Sequence, residues 1–380
     1  MPTIGVFSEC YRPMLNGVVT SVVTFSEQLR RLGYEVYIIA PGHPDAPREE
    51  DHVIRFPYLR PPFGPLYPLG MPWTAPRLRA RVAQLPLDLV HSNSLFMMGR
   101  LGMRVARRRG VPLVFTYHTL IENYVHYVPL PSALVRWAAR RTSRSYANQA
   151  DWVVVPGRRS GDLLRQYGVT TPIEVIPTGI DMSHARPERL RPIRGDFGVP
   201  ESVPLLVYAG RLAKEKSLDF LLESFALVHA RRDDAWLLMV GGGPAEDDCR
   251  ALASALGIES RVRFAGYIPH ADVFRCCAEA DLFVFASRTE TQGLVIAEAM
   301  SVGAPCVAVA ASGVEDVVEH ERNGLLTGPD REEFAAAVLR VLDDRSLRDR
   351  LSENARKTAA SLSAEVCTAK LARLYGALLP

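Results

Sequence analysis

The chain has 380 residues, of which 48% are hydrophobic and 23% are charged. This length fits two domains, and the apolar fraction is sufficient for folded cores, which excludes a largely disordered protein. The net charge is only +3, but residues 1–172 hold 21 Arg, no Lys and 11 acidic residues (+10), whereas residues 173–380 hold 24 basic and 31 acidic residues (−7). A basic first half indicates an anionic partner there, although genomic codon bias would also favour Arg over Lys.

The first half of the sequence alternates short apolar runs with helical periodicity, which predicts strands and helices in turn. Helices are predicted at residues 18–32 and 96–109. Continuous apolar strands that alternate with helices are typical of parallel βαβ units covered on both faces. The predicted strands are Thr3–Ser8, Glu35–Ala40, Leu87–His91, Pro112–Thr116 and Asp151–Val155.

The same alternation begins again after a Pro- and Arg-rich stretch, Pro187–Pro200. We therefore predict an α/β protein of two doubly wound, Rossmann-like domains that face a central cleft, because ligands bind beyond the carboxyl ends of strands in such sheets. Residues 1–175 form the first domain, 176–200 a linker and 201–363 the second. The predicted elements are strands Leu205–Ala209, Trp236–Val240, Val262–Ala265, Leu282–Ala286 and Pro305–Ala308 and helices Ser217–Ala230, Gly293–Ser301 and Ala364–Leu379.

Several features bear on the compartment. The six Cys lack metal-ligand spacing and are expected in cores. The N-terminal residues lead directly into a strand without a signal-peptide pattern, and no apolar run is long enough for a transmembrane helix. We expect a cytoplasmic protein with reduced thiols.

The segment Phe56–Trp73 fits neither alternation because it is rich in Pro and aromatic residues. Proline disfavours central strands and helix interiors, so the segment is predicted to be a loop. It could enter a membrane interface, cover an apolar acceptor, or simply pack on the surface.

Two glycine-rich stretches follow predicted strands. Gly17 precedes the first helix, and Gly241–Gly243 follow Trp236–Val240. Both could present backbone N–H groups to phosphate, or could be tight turns between strand and helix. Neither matches the dinucleotide-binding or P-loop pattern, so those two functions lack their sequence signature.

Two cations follow the strand Leu205–Ala209. Arg211 and Lys216 lie between that strand and the next helix. Arg can bind a diphosphate through two parallel hydrogen bonds, and Lys adds a point charge, so the two could neutralise a leaving diphosphate. The alternative is a pair of solvated loop charges.

Two carboxylates follow the strand Leu282–Ala286 at a spacing of eight residues. Glu290 lies at the end of the strand, and Glu298 lies inside an apolar helix that Gly293 opens. A buried carboxylate needs a partner, and sugar or ribose hydroxyls are suitable donors; the alternative is an ion-paired surface residue. The backbone N–H groups predicted to face a ligand are those of Gln292, Gly293 and Leu294.

Together these motifs resemble the retaining glycosyltransferases of family 4, which have the GT-B fold. The resemblance rests on Asn-Gly-Val at 16–18, Gly-Arg-Leu…Glu-Lys at 210–216 and Glu-x7-Glu at 290–298, in the family's order over almost the whole chain. It implies a nucleotide-sugar donor held mainly by the second domain. It also implies that the final helix crosses back, so that residues 364–380 join the first domain.

The resemblance further implies which residues contact the donor and which take part in catalysis. The implied donor contacts are the diphosphate with Arg211 and Lys216, the sugar hydroxyls with Glu290, the ribose with Glu298, the base with the backbone of Ile268, and the phosphates with Gly17. The implied catalytic residues are His118, Arg211, Lys216 and Glu290. The chain has no Asp-x-Asp motif, so we expect no cofactor and no essential metal.

The stretch after Thr116 is unusually rich in polar aromatic residues. His118 follows a predicted strand, and Tyr124, His126 and Tyr127 follow soon after. The stretch, together with Gln292 before Gly293, is similar to bacterial diacylglycerol glucosyltransferases, which implies a lipid acceptor bound by these four aromatic residues. A lone histidine at a strand end is alternatively a structural residue.

The helix predicted at residues 132–148 is basic and amphipathic. Such a helix with an exposed Trp is typical of proteins that bind anionic lipid surfaces, although a solvated helix face is the alternative. No nucleic-acid-binding module accompanies the charge, so nucleic acid is not expected as a partner. We expect association with the inner face of the cell membrane through Arg136, Trp137, Arg140, Arg141 and Arg144.

The sequence therefore predicts an enzyme that transfers a hexose, glucose from UDP-glucose, to a membrane-lipid hydroxyl such as that of diacylglycerol. Alternatives within the family are phosphatidylinositol or a soluble acceptor, for example in a mannosyltransferase. A nucleotide-sugar 2-epimerase and a catalytically silent membrane-binding module are the alternatives of other classes.

Overall fold

The computed structural model describes residues 1–14, 16–47, 49–59, 68–118, 132–186, 190–290 and 292–379. The chain forms two compact units, Met1–Gly179 with Ala364–Pro380, and Ile180–Ser363. Most of the stretch 176–200 therefore groups with the second unit, and its Ile193 and Val199 are buried in that unit's core.

The elements of the first unit follow the predicted alternation. Its strands are β1 (Thr3–Phe7), β2 (Glu35–Pro41), β3 (Val53–Phe56), β4 (Tyr58–Leu59), β5 (Leu69–Gly70), β6 (Leu89–Ser92), β7 (Leu113–Thr116), β8 (Trp152–Val155) and β9 (Ile173–Val175). Its first five helices are α1 (Gly17–Arg31), α2 (Pro76–Gln84), α3 (Met97–Arg109), α4 (Ser132–Ala147) and α5 (Arg158–Gln166).

The elements of the second unit repeat the pattern. Its strands are β10 (Leu205–Ala209), β11 (Trp236–Val240), β12 (Val262–Gly266), β13 (Leu282–Phe285), β14 (Cys306–Val309) and β15 (Gly324–Thr327). The helices from here to the end of the chain are α6 (Leu218–His229), α7 (Glu246–Ala255), α8 (His270–Ala278), α9 (Leu294–Ser301), α10 (Ser312–Glu315), α11 (Arg331–Asp343), α12 (Arg345–Ser361) and α13 (Ala364–Leu378).

Each unit is built on a parallel sheet, as predicted. The strand order is β3-β2-β1-β6-β7-β8-β9 in the first unit and β12-β11-β10-β13-β14-β15 in the second. In both sheets the strand order changes direction next to the first strand, between β1 and β6 and between β10 and β13. In doubly wound sheets this switch point is where the loops after the strands diverge and leave room for a ligand.

Local sequence explains where the first helix begins and ends. The side chain of Asn16 accepts a hydrogen bond from the backbone N–H of Val19 at 2.9 Å and so caps the N-terminus of α1. Arg30 and Arg31 lie in the last turn, where cations complement the helix dipole. Gly33 adopts a left-handed φ of +89° and turns the chain into β2.

The C-terminal helix groups with the first unit, as the resemblance implied. Leu371 and Tyr375 of α13 are fully buried and belong to the same apolar cluster as Val22 of α1 and Ile38 of β2. This helix therefore covers one face of the first sheet, although it follows the second unit in sequence.

The Pro-rich segment departs in part from the predicted loop. Its first residue, Phe56, completes β3, and β4 and β5 pair antiparallel, with Tyr58 opposite Gly70. Prolines are tolerated beside such a short, isolated pair because no central ladder is interrupted. Residues 60–67, between the two strands, lie outside the described part of the chain.

Candidate functional site

Glycines shape the ends of β10 and β11 in the second unit. Gly210 donates its N–H to the Val240 carbonyl at 2.9 Å, and Leu212 donates to the Gly242 carbonyl at 3.0 Å, so the two loops run side by side. Gly241 has φ +120°, and a Cβ there would lie 2.1 Å from the Gly210 carbonyl oxygen. Only glycine fits this approach, so a tight turn explains part of the glycine-rich stretch.

The loops that follow β10 and β13 meet at the switch point of the second sheet. Lys216 Nζ donates to Glu290 Oε1, and about a fifth of each side chain is exposed. The hydroxyl of Thr289 donates to the Glu215 carbonyl at 3.3 Å, which ties the two loops together. Residues 74 apart in sequence thus form one charged, solvent-accessible pair.

Arg211 lies on the same loop but is oriented differently from Lys216. Its guanidinium is 61% exposed and 3.9 Å from Glu215. The Tyr208 hydroxyl donates to the Arg211 carbonyl at 3.2 Å and fixes the backbone where the side chain begins. The guanidinium is therefore accessible to an anion from solvent, while a hydrogen bond holds the backbone at its base.

The N-terminus of α9 lies directly after this charged pair. Gly293 caps the helix with φ +66°, and a Cβ there would lie 3.1 Å from the Gly313 carbonyl. Gln292 and Gly293 are buried, Leu294 is half-buried, and the Glu290 carbonyl accepts from the Gly313 N–H at 3.0 Å. The first N–H groups of a helix carry a partial positive charge that suits an anion.

Glu298 has a partner that the sequence interpretation missed. His270 Nε2 donates to Glu298 Oε1 at 3.0 Å, and only 16% of the Glu298 side chain is exposed. This hydrogen bond raises the pKa of His270 above its usual value. In the sequence, His270 is visible only as a His that follows a Pro at the start of a helix, and this pattern does not indicate a function without the fold.

Tyr267 and Ile268 follow β12 at the same edge of the sheet. The Tyr267 ring is 79% exposed and lies against Gly242, where a Cβ would be 2.6 Å from the ring. Ile268 is half-buried against the core. The exposed ring and the adjacent backbone form an open surface next to the glycine loops.

In the first unit, His118 lies at the carboxyl end of β7 as predicted. Its Nε2 is 2.7 Å from Asn93 Oδ1, the residue that follows β6. Burial lowers the pKa of His118 to about 4, so the ring is neutral at physiological pH. With Nε2–H donating to Asn93, Nδ1 of the neutral ring is the acceptor.

A second histidine, which the sequence interpretation did not single out, lies beside His118. His91 is fully buried, with Nδ1 2.5 Å from the Tyr375 hydroxyl and Nε2 2.6 Å from Thr116 Oγ1. Burial lowers its pKa to about 3. These contacts tie α13 to the strand that precedes His118.

Glu9 is a further buried polar group at the switch point of the first sheet. It accepts from the N–H groups of Gly70 and Met98 at 2.7 and 3.0 Å and from the Ser94 hydroxyl at 3.3 Å. Burial raises its pKa, and these hydrogen bonds oppose the shift. Glu9 thus joins β5 to the N-terminus of α3.

Gly17 begins α1 after the loop that follows β1. It is exposed, and a Cβ there would meet no atom within 4 Å. Its φ lies outside the left-handed region, so the turn itself does not require glycine. The reason for glycine at this position is therefore not local packing.

The described part of the acceptor stretch ends at His118. Tyr124, His126 and Tyr127 lie outside the described residues. In α4 the five residues predicted to face a membrane are exposed: Arg136, Trp137, Arg140, Arg141 and Arg144. Trp137 is 60% exposed, with the Arg141 guanidinium 5.8 Å from its ring centroid, so the apolar and basic surfaces adjoin.

All six Cys are buried, as predicted, and burial raises the pKa of Cys10 to about 12. Among the described residues, no group of three or more His, Cys, Asp or Glu is arranged to hold a metal ion. No described helix is both long and apolar enough to cross a bilayer.

Two family models match the chain. The model described as Glycosyltransferase Family 4 matches residues 15–184, and the model described as Glycosyl transferases group 1 matches residues 191–358. The α-monoglucosyldiacylglycerol synthase of Streptococcus pneumoniae is 30% identical over 89% of this chain and 78% of its own. A GDP-mannose-dependent α-mannosyltransferase of Mycolicibacterium smegmatis is 31% identical over 90% of this chain and 89% of its own.

Solved structures share the fold. A sucrose-phosphate synthase of Thermosynechococcus elongatus superposes with a TM-score of 0.79 at 24% identity, covering 99% of this chain and 98% of that one. The Anabaena protein HepE, solved with UDP, also gives 0.79, at 21% identity and full coverage of both chains. This chain therefore belongs to the group 1, family 4 glycosyltransferases and is an enzyme of that class with the GT-B fold.

Proposed function

We propose that the enzyme transfers glucose from UDP-glucose to a hydroxyl of a membrane lipid such as diacylglycerol, with retention of the anomeric configuration. In this proposal the second unit binds the donor and the first binds the acceptor and the membrane. The observation that carries the proposed donor site is the Lys216–Glu290 pair beside the N-terminus of α9. The proposed base and acceptor are supported by the relatives and by α4.

The donor contacts follow from the chemistry of this pair. A cation and a helix N-terminus suit a diphosphate, and the carboxylate suits sugar hydroxyls. Arg211, whose guanidinium is largely exposed, adds the second cation. The remaining proposed contacts are the ribose with Glu298, the base with the backbone of Ile268, the diphosphate with the N–H groups of Gln292, Gly293 and Leu294, and the phosphates with Gly17.

The proposed reaction takes place on one face of the sugar. The bond from C1 to the leaving phosphate oxygen breaks as the acceptor oxygen bonds to C1, and the acceptor proton passes to that phosphate oxygen. Lys216 and Arg211 stabilise the charge that develops on the leaving diphosphate. Because these two cations stabilise the leaving diphosphate, and because the sequence lacks an Asp-x-Asp motif, we propose that no metal is essential.

His118 is proposed to orient the sugar and the acceptor. The ring is neutral because burial lowers its pKa to about 4, so Nδ1 accepts a hydrogen bond from a hydroxyl. The proposed acceptor residues Tyr124, His126 and Tyr127 follow it in sequence. Polar aromatic side chains suit the boundary between a sugar and an acyl glycerol because each offers an apolar body and a polar tip.

The lipid acceptor is supported by relatives and by α4. The α-monoglucosyldiacylglycerol synthase of Acholeplasma laidlawii is 29% identical over 98% of this chain and 96% of its own. The exposed arginines and Trp137 of α4 suit an anionic membrane surface. We accordingly place the enzyme at the inner face of the cell membrane.

A second candidate is transfer of mannose from GDP-mannose. It is favoured by relatives of that name, including one from Mycobacterium tuberculosis that is 31% identical over 85% of this chain. The Lys216–Glu290 pair suits any nucleoside diphosphate hexose, so it does not select the base.

A screen of donors against acceptors tests both candidates. Radiolabelled UDP-glucose, UDP-galactose and GDP-mannose are each incubated with diacylglycerol, phosphatidylinositol or a soluble sugar, and the products are separated. We expect label in glucosyl-diacylglycerol. Label only in a mannosylated product would overturn the proposed donor, transfer only to a soluble acceptor would overturn the lipid acceptor, and an epimer formed from donor alone would indicate a 2-epimerase.

A further inference from the structure

The pair His270–Glu298 joins α8 to α9. Glu298 lies in a helix whose neighbouring residues Ala297 and Ala299 are buried, and most of its own side chain is buried too. His270 is more exposed, with 56% of its side chain accessible. A carboxylate in such an apolar setting is costly without a donor, and His270 supplies one at 3.0 Å.

His270 is itself held by aromatic neighbours. Its ring makes an edge contact with Phe274 one turn along α8, with centroids 5.2 Å apart. A second edge contact, at 5.8 Å, joins it to His184, which comes from the turn Met182–Ala185. These contacts fix the ring on two sides, so Nε2 points at Glu298 in a defined orientation.

Several charged or titratable groups surround the ring. Glu298 faces it from α9, Asp181 and His184 from the preceding turn, and Asp272 and Arg275 lie on α8. The acidic groups dominate, and the hydrogen bond to Glu298 raises the pKa of His270 above its usual value of about 6.5. Since Arg275 pairs with Asp272 at 2.8 Å, its charge is partly compensated.

We propose that His270 is a positioning residue for the donor: by holding Oε1 of Glu298 it orients the carboxylate so that Oε2 accepts a hydrogen bond from the donor ribose. This inference rests on the proposed function, in which Glu298 contacts the ribose. The ribose is remote from the bond that breaks, so its contacts stabilise the bound donor in the ground state and the transition state alike. Loss of His270 then raises the KM for the donor and leaves kcat nearly unchanged.

Two substitutions separate positioning from general stability. His270→Ala removes the donor hydrogen, and we expect the nucleoside diphosphate to bind about 3- to 10-fold more weakly, the effect of one hydrogen bond. His270→Gln keeps an N–H donor, and we expect it to restore most of the affinity. His320→Ala is the matched control, because His320 also neighbours a glutamate, Glu321 at 3.8 Å, but lies outside the site.

The pH dependence gives a second readout. Below its raised pKa, His270 is a cation and its hydrogen bond to Glu298 is charge-assisted, which makes it stronger. As pH rises through that pKa, donor affinity is expected to fall a few-fold in the wild-type enzyme. The difference in affinity between wild type and His270→Gln isolates this effect, because the other groups around the site and the ligand phosphate are the same in both experiments.

The experiment is a calorimetric titration of the full chain with UDP, GDP and ADP, followed by the 2′-deoxy analogue of the tightest binder. Removal of the 2′-hydroxyl should weaken binding to wild type more than to His270→Ala, since the carboxylate of the variant no longer faces the ribose. Equal penalties, or equal affinities of wild type and His270→Ala, would overturn the inference while leaving the proposed function intact. Failure of wild type to bind any of the three nucleotides would overturn both.

Discussion

The two units use similar parallel sheets to present very different polar groups. The charged cluster of the second unit comprises three ion pairs in contact with solvent, Arg211–Glu215, Lys216–Glu290 and His270–Glu298. The neutral cluster of the first unit consists of two hydrogen-bonded groups near the ends of β6 and β7. His91 is buried with Thr116 and Tyr375, and the half-buried His118 pairs with Asn93.

This difference reflects what each environment does to charge. Burial lowers the pKa of His91 and His118 to about 3 and about 4, so both stay neutral. In the charged cluster the partner of His270 is a carboxylate, and the pKa of His270 moves in the opposite direction. The charged side chains of the second unit can therefore give up their partners within the protein and bind an ionic ligand instead. The neutral groups of the first unit are suited to hold a hydrogen-bond donor or acceptor in a fixed position.

The largest expected effect is the loss of Lys216. Lys216→Ala should lower kcat by about 10²–10³-fold, because a positioned group that stabilises the developing negative charge contributes about 3–4 kcal/mol to the barrier. Steady-state kinetics with saturating donor measure the change. The matched control is Lys214→Ala, an exposed lysine on the same turn; an equal loss in both variants, or unchanged turnover in Lys216→Ala, would contradict the assignment.

The neutral cluster should be most sensitive to loss of its link to α13. Tyr375→Phe leaves Nδ1 of buried His91 without its partner at 2.5 Å, and an unsatisfied buried group costs about 1–3 kcal/mol. Urea unfolding should show this decrease in the free energy of unfolding. Tyr267→Phe, at an exposed ring, serves as the control, and an equal small change in both variants would show that the hydrogen bond adds no stability.

Placing a charge in the neutral cluster should create a new pH dependence. In wild type, kcat/KM is expected to be insensitive to His118 above pH 5, because its pKa is about 4. Asn93→Asp puts a carboxylate beside the ring, which favours the charged form and should raise the pKa to about 5–7.

The variant is then expected to lose activity as pH falls from 8 to 6, by up to about tenfold at pH 6, because the protonated ring no longer accepts a hydrogen bond at Nδ1. Asn93→Gln, which keeps an amide, should retain the flat profile. A flat profile in Asn93→Asp would mean that the charge of His118 does not affect the reaction.

The smallest single effect is expected on the surface of α4. Each of Arg136, Arg140, Arg141 and Arg144, when changed to Gln, should weaken binding to phosphatidylglycerol-containing vesicles by about fivefold, or about 1 kcal/mol. Added salt should reduce the difference, since it screens the surface charge. Arg345→Gln, an arginine of the second unit with 85% of its side chain exposed, is the control; equal losses would indicate nonspecific charge effects.

Much of the fold was predictable because both sheets are buried on their two faces. Continuous apolar runs such as Leu205–Ala209 can then only be strands of a parallel sheet, and the predicted positions agree with the structure within a few residues. Short peripheral strands were missed. β9 is one of them, since Ile173–Val175 is half exposed and has no clear apolar run.

The candidate site was predictable to the extent that local motifs place residues at strand ends. The positions of Gly293 at the start of α9 and Lys216 after β10 follow from local sequence, because an apolar run marks each strand and the glycine and polar residues after it mark the turn into the next helix. The sequence did not predict the contributions of Asn93, His91 and His270. Each of these side chains has a hydrogen-bond partner at least 25 residues away in sequence, which only the fold brings close.

Local sequence was sufficient to predict the two-sheet architecture and the uneven charge of the two halves, and the resemblance of its motifs to a known family implied the class of enzyme. Composition and apolar periodicity are properties of residues and their neighbours along the chain, so they can be read from the sequence without knowledge of the fold. Which charges are paired and which histidines are neutral depends on how the elements pack in three dimensions. Lys216 contacts Glu290 because β10 and β13 are neighbours at a switch point. His118 is neutral because the first unit buries its ring nitrogens. Neither the pairing of distant strands nor the burial of a single side chain can be deduced from local sequence.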